Sequence, residues 1–123
     1  MTGRVLLKLF LMAFVPAFSI SAGCPGTSPG GDVENLVTIE NFIYTPSPLT
    51  IERGQAVRWI NLDISVHTVT SGHPGDPDAG SLFDSGAMHR NDTFEHTFNE
   101  TGTFVYFCRP HSQTMRDAVV IVQ

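Results

Sequence analysis

Phe94-Glu-His-Thr-Phe-Asn-Glu-Thr-Gly-Thr-Phe-Val-Tyr-Phe-Cys108 carries two alternating apolar runs around a turn signal. Phe94, His96 and Phe98 fall on one period-2 face, Asn99-Glu-Thr-Gly102 turns the chain, and Phe104, Tyr106 and Cys108 alternate back. Successive strand residues point to opposite faces, so the stretch predicts two strands joined as a hairpin. Cys108 shares its face with Phe104 and Tyr106, which are large and apolar and so inward, and its sulfur is expected to point toward the core. Pro110 then interrupts any strand ladder, and residues 109 to 114 become a loop.

The period-2 pattern extends in both directions from there. Val37 and Ile39 alternate with polar neighbours, and Phe42, Ile43 and Tyr44 lead into Pro46-Ser-Pro48. Leu49 and Ile51 form a short strand that ends at Glu52-Arg-Gly54, a turn signal. Val57 and Trp59 share a face opposite Arg58 and Ile60, and the largely β-branched Val66-His-Thr-Val-Thr70 reads as another strand. Residues 71 to 92 are rich in Gly, Pro and Asp and predict a long solvated loop with one short element around Leu82-Phe83. Ala118-Val-Val-Ile-Val122 closes the chain as a final strand. No stretch sustains a helical period, so the expected fold is all-β: a Greek-key sandwich or barrel of seven or eight strands, one domain over residues 35–123.

The N-terminus reads differently. Arg4 and Lys8 precede the apolar run Leu9–Ile20, and small residues follow, so residues 1–23 are expected to be a secretory signal. Ser21-Ala-Gly-Cys24 resembles the lipobox of bacterial lipoproteins, with Ser21 departing from its usual Leu, Val or Ile. That resemblance implies an acylated Cys24, and simple secretion is the alternative. Residues 24–34, rich in Gly and Pro, would then be a flexible linker. Without the leader the chain keeps five arginines, no lysine and all twelve acids, a formal charge of −7. Such a surface repels nucleic acid and would steer toward a basic partner. Two cysteines in an exported chain admit one disulfide, but an acylated Cys24 could not pair. Cys108 would then be a lone thiol, which a bound metal would protect.

Cys108, His111 and Met115 place a thiolate, an imidazole and a thioether within eight positions. Soft sulfur ligands with imidazole suit a copper ion that lives as both Cu(I) and Cu(II), and two His, one Cys and a weak axial Met make a blue-copper site. The second histidine is expected to be His67, the one histidine set in a β-branched run. His73 and His89 sit in the loop and read as solvated, and His96 reads as a partly buried structural histidine. Met115 as simple core filling is the competing reading of that residue. Trp59, Phe94, Phe98 and Phe104 read as core.

Val66-His-Thr-Val-Thr-Ser-Gly72, Leu82-Phe-Asp-Ser-Gly86 and Phe98-Asn-Glu-Thr-Gly-Thr-Phe-Val-Tyr-Phe-Cys-Arg-Pro-His111 together resemble the small cupredoxins: plastocyanin, pseudoazurin, amicyanin and the halocyanin-like lipoproteins. The resemblance implies one type 1 copper, with His67, Cys108 and His111 as equatorial ligands and Met115 as the axial one. It also implies that Thr68 ties the two ligand segments together, touching Arg109 or, through its N–H, the Cys108 sulfur. Three residues separate His111 from Met115, where amicyanin-like loops have two and plastocyanin-like loops four.

These readings lead to an electron carrier rather than an enzyme, working in the periplasm or cell envelope as a monomer. Its expected partners are redox proteins such as a cytochrome c and an oxidase or reductase, and its only membrane contact would be the anchor at Cys24. A module that stores or delivers Cu(I) is the alternative, but only four Met occur, two of them in the leader. A copper enzyme would need further His-rich sites, and the chain has no His-x-His pair.

Overall fold

The computed structural model describes residues 35–123. The expected secretory signal, Cys24 and the expected linker lie outside the described residues. Eight strands follow in chain order: β1 (Leu36–Glu40), β2 (Ile43–Thr45), β3 (Leu49–Ile51), β4 (Ala56–Asn61), β5 (Thr70–Ser71), β6 (Thr93–Thr97), β7 (Gly102–Phe107) and β8 (Ala118–Val122). They form two four-stranded sheets, ordered β2-β1-β4-β6 and β3-β8-β7-β5. The β1–β4 and β3–β8 pairs are parallel, and the other pairs are antiparallel. The all-β architecture expected from the period-2 pattern is the one observed.

Alternation decides which residues fill the space between the sheets. Val37 and Ile39 of β1 and Val57 and Trp59 of β4 are buried from one side. Ile51 of β3, Tyr106 of β7 and Ala118, Val120 and Val122 of β8 are buried from the other, in one continuous cluster. Trp59 is its centre, with ring centroids 5.5 Å from Tyr106, 5.7 Å from Phe94 and 6.0 Å from Phe83. These spacings lie in the range where aromatic pairs add to area burial.

The predicted hairpin does not form. β6 and β7 belong to different sheets: β6 pairs with β4, Val57 opposite His96 and Trp59 opposite Phe94. Beyond β6 the chain still follows the start of β4, since Phe98 N–H donates to Gln55 O at 3.0 Å and Gly54 N–H to Phe98 O at 2.6 Å. Phe98 plugs the core, 5.2 Å from Phe104 by ring centroid, and residues 99–101 carry the chain across to the second sheet. The turn signal is real, but it marks a crossover. His96 therefore neighbours Val57 of β4 rather than a residue of β7, while remaining partly buried as expected.

Two further expectations change in extent. Of the run Val66–Thr70 only Thr70 is a strand residue, opening β5 with Ser71, because the earlier residues pair with an irregular segment. His67 and Met88 exchange backbone hydrogen bonds at 3.1 and 2.9 Å, and Ser85 N–H donates to Val69 O at 2.9 Å. The long loop is accordingly less solvated than predicted: Phe83 and Met88 are core residues, and around Leu82-Phe83 there is a single bridge, Thr70 to Asp84, in place of a strand.

Trp59→Ala should destabilise the fold by about 3–5 kcal/mol, the usual cost of emptying a buried aromatic site. Leu36→Ala, at a partly exposed position, should cost under about 1 kcal/mol. Urea unfolding of the copper-free protein measures both, and equal costs would contradict a Trp59-centred core.

Candidate metal centre

The two segments that meet at the site leave the sandwich at the same end. Cys108 follows β7 directly, and its side chain has no exposure. The loop after it closes on itself through backbone bonds. His111 N–H donates to Cys108 O at 3.2 Å, and Thr114 and Met115 N–H both reach His111 O, at 3.1 and 2.8 Å. Cys108 N–H in turn donates to Met115 O at 2.9 Å. Three intervening residues are what one such i-to-i+4 turn requires, so the spacing returns Met115 beside Cys108 before β8 begins. Met115 is buried.

His67 arrives from the segment that leaves β4. Asn61, fully buried at the end of β4, organises this corner with its side chain. Its Nδ2 donates to Ser65 O at 2.9 Å and to Met88 O at 2.8 Å, and its Oδ1 accepts from Asp63 N–H at 2.9 Å. The His67 ring is fully buried, with Nε2 at 2.8 Å from Asp63 Oδ2. A carboxylate can only accept, so Nε2 carries the hydrogen, and in the neutral imidazole that a metal ligand must be, Nδ1 presents its lone pair. That Nδ1 lies 3.7 Å from Cys108 Sγ, and His111 Nδ1 lies 3.4 Å from it.

The three donor atoms of His67, Cys108 and His111 lie within 4.8 Å of one another. One buried sulfur and two imidazole nitrogens converging on a point match the donor set of a copper site. The residues fit the metal. Cys108 is a free thiol, and its place amid these ligands is what the lone-thiol reading required. Burial pushes the thiol up from its ordinary value, against the N–H groups of Thr68 and His111, which favour the thiolate. Those N–H groups support the charged form that a metal ligand must adopt.

The other histidines stay apart from the cluster. His73 and His89 are exposed and lie 3.5 Å from Asp117 and Asp92 respectively. His96 packs between Phe83 and Phe98, with centroids at 4.9 and 4.8 Å, and burial holds its pKa below the ordinary value.

Thr68 makes both expected contacts. Its N–H points at Cys108 Sγ at 3.4 Å, and its Oγ1 accepts from Arg109 N–H at 2.9 Å. Sequence reasoning missed what lies one step further out. Arg109 donates to Asp84 Oδ2 at 2.9 and 3.2 Å and to Ala79 O at 3.1 Å, drawing the long loop against the site. Gly80 permits this: its φ is +85°, and a Cβ there would stand 2.7 Å from both the Arg109 and Asp84 side chains. Asn61, Asp63, Phe42 and Met88 were also missed. The first two are polar residues in an apolar context, a signal of a structural role, but nothing local shows that they serve His67.

Residues 31–123 match the family model described as copper binding proteins, plastocyanin/azurin family. The chain belongs to that family, whose cofactor is copper, and His67, Cys108 and His111 form its candidate copper site. It is 35% identical over 88 residues to amicyanin of Paracoccus versutus, covering 70% of this chain and 63% of that relative. It is 29% identical over 114 residues to amicyanin-alpha of Methylorubrum extorquens, covering 90% and 92%. A purple cupredoxin from Nitrosopumilus maritimus superposes with a TM-score of 0.63 at 28% identity, covering 73% of this chain and all of that one. The fold is that of a cupredoxin.

Partial burial pushes the Asp84 carboxyl up, but the Gly86 N–H, the Arg109 guanidinium and the Thr70 hydroxyl together hold it below its ordinary 3.8. Its folded pKa is depressed, so its contribution is present above pH 3.8 and lost as pH falls through the lowered value. Asp84→Asn should cost about 0.5–1 kcal/mol at pH 7, since the Arg109 pair is half exposed. The deficit relative to wild type should shrink in acid, as urea unfolding at pH 7 and at successively lower pH will show.

Proposed function

We propose that this protein carries single electrons through a type 1 (blue) copper centre, held by His67, Cys108 and His111 with Met115 as the axial ligand. The observation that carries this reading is the convergence of one buried sulfur and two imidazole nitrogens within 4.8 Å. Copper bound there supplies a one-electron Cu(I)/Cu(II) couple. The chain's own part is to hold the donors still. His67 and Cys108 are fixed by Asp63, Thr68 and Met88, and the Met115 backbone is tied to Cys108. Donors held by a packed scaffold rearrange little between oxidation states, which suits transfer to a docked partner rather than turnover of a substrate.

His111 is the ligand that reaches the surface. It is half-buried, next to exposed Pro110, and the Phe42 ring stands edge-on to it at 4.9 Å. The edge of His111 is therefore the proposed exit for the electron. Donor and acceptor are redox proteins of the envelope, such as a cytochrome c and an oxidase or reductase. The two Nδ1 atoms and the sulfur are turned inward, which favours a retained cofactor over Cu(I) storage or delivery. The leader and the Ser21–Cys24 motif support export and a lipid anchor at Cys24, with residues 24–34 as the tether and residues 35–123 as a monomeric redox domain.

Loading the protein with Cu(II) should give intense absorption of red light that bleaches with ascorbate and returns on reoxidation. A colourless complex, or colour that survives Cys108→Ser, would overturn the centre. Cys24→Ala should move the protein from the membrane to the soluble fraction, and unchanged membrane association would rule out the anchor.

A further inference from the structure

Asp63 uses both carboxylate oxygens. Oδ1 accepts from Asn41 N–H at 2.7 Å, and Oδ2 accepts from Phe42 N–H at 2.9 Å and from His67 Nε2–H at 2.8 Å. Partial burial pushes its carboxyl up, but these N–H groups and His67 hold it below the ordinary carboxylate range. Asn41 and Phe42 form the turn between β1 and β2, with φ of 56° and 62°. A bulky aromatic residue in the left-handed region is a genuine outlier and persists only where its surroundings impose it. Here the surroundings are one carboxylate accepting from both turn amides.

The consequence falls on the metal ligands. The Phe42 ring stands perpendicular to both histidines, its centroid 5.1 Å from His67 and 4.9 Å from His111. Phe42 is 44% exposed, so it covers the two rings from the solvent side. A single carboxylate thus sets the tautomer and orientation of the buried ligand and the position of the aromatic cover over both ligands.

We propose that Asp63 is a positioning residue of the metal centre, acting on copper through His67 and through the Asn41–Phe42 turn. A carboxylate on the far nitrogen makes an imidazole a stronger donor. Asp63 thereby favours Cu(II) over Cu(I). Nothing else among the described residues reaches His67 Nε2. The turn amides that share Asp63 keep it in place when the cofactor changes charge. The inference rests on His67 being a copper ligand.

Asp63→Ala should weaken Cu(II) binding about 10–100-fold, the usual effect of removing such a partner. It should raise the reduction potential, because the oxidised state loses more than the reduced one. In the copper-free protein, ¹⁵N NMR should find His67 predominantly as the Nε2–H tautomer, and Asp63→Ala should erase that preference. If the wild type itself shows no intense red absorption, the copper centre fails and Asp63 with it. If the wild type is blue while Asp63→Ala keeps its Cu(II) affinity, potential and tautomer, Asp63 is only a clamp for the turn and the proposal is overturned. Should Asp63→Ala fail to fold, Asp63→Asn replaces it. The amide keeps the shape and one acceptor oxygen but no charge, and the potential should again rise, while an unchanged potential would overturn the proposal.

Discussion

The contact between Thr68 and the Cys108–Arg109 corner extends the β5–β7 pairing, in which Thr70 stands opposite Phe107, out to the two segments that carry the metal donors. The His67 segment is a crossover that leaves β4 in one sheet and enters β5 in the other. The Cys108 loop connects β7 to β8 within the second sheet. Thr68 N–H toward the sulfur at 3.4 Å and Arg109 N–H to Thr68 Oγ1 at 2.9 Å carry the register of the β5–β7 ladder on past the strand ends. Their place matters because the donors of His67 and His111 approach the sulfur from different segments.

Polar burial is concentrated where this contact lies. Asn61, His67, Thr68, Thr70 and Ser71 are buried polar residues within one short stretch of chain. Each has partners: Asn61 on the corner backbone, Thr68 and Thr70 on each other at 2.9 Å, and Ser71 Oγ beneath the N–H groups of Leu82 and Phe83 at 3.2 Å. In a low-dielectric interior a satisfied network is strong and an unsatisfied one costly, so few alternative arrangements of this end are available. The opposite part of the core is apolar and aromatic around Trp59.

Local signals were readable in the chain, and pairings across space were not. The x₂ spacing of Cys108 and His111, the inward face of Cys108 and the isolation of His67 in a β-branched run are short-range features, and they located the three clustered donors. The Asn99–Gly102 turn is also short-range, yet it does not say which sheet β6 joins. That was decided by Trp59 and Val57 pairing with Phe94 and His96. The β-branched run around His67 overstated a strand because Ser85 and Met88, from a loop rich in Gly, Pro and Asp, supply its backbone partners. Asp63 and Phe42, 21 residues apart, meet only in the folded chain.

The strand order has a consequence for how copies of this molecule meet one another. The outer strands are β2, β6, β3 and β5, and three of these are only two or three residues long. The fourth, β6, has five residues and carries Glu95 and His96. Unpaired edges recruit further strands, and brevity and charge are the usual protections against it. Copies of the molecule at high local density can collide edge-on. Three edges this short, and a fourth that carries charge, offer them little to extend, so crowding need not become aggregation.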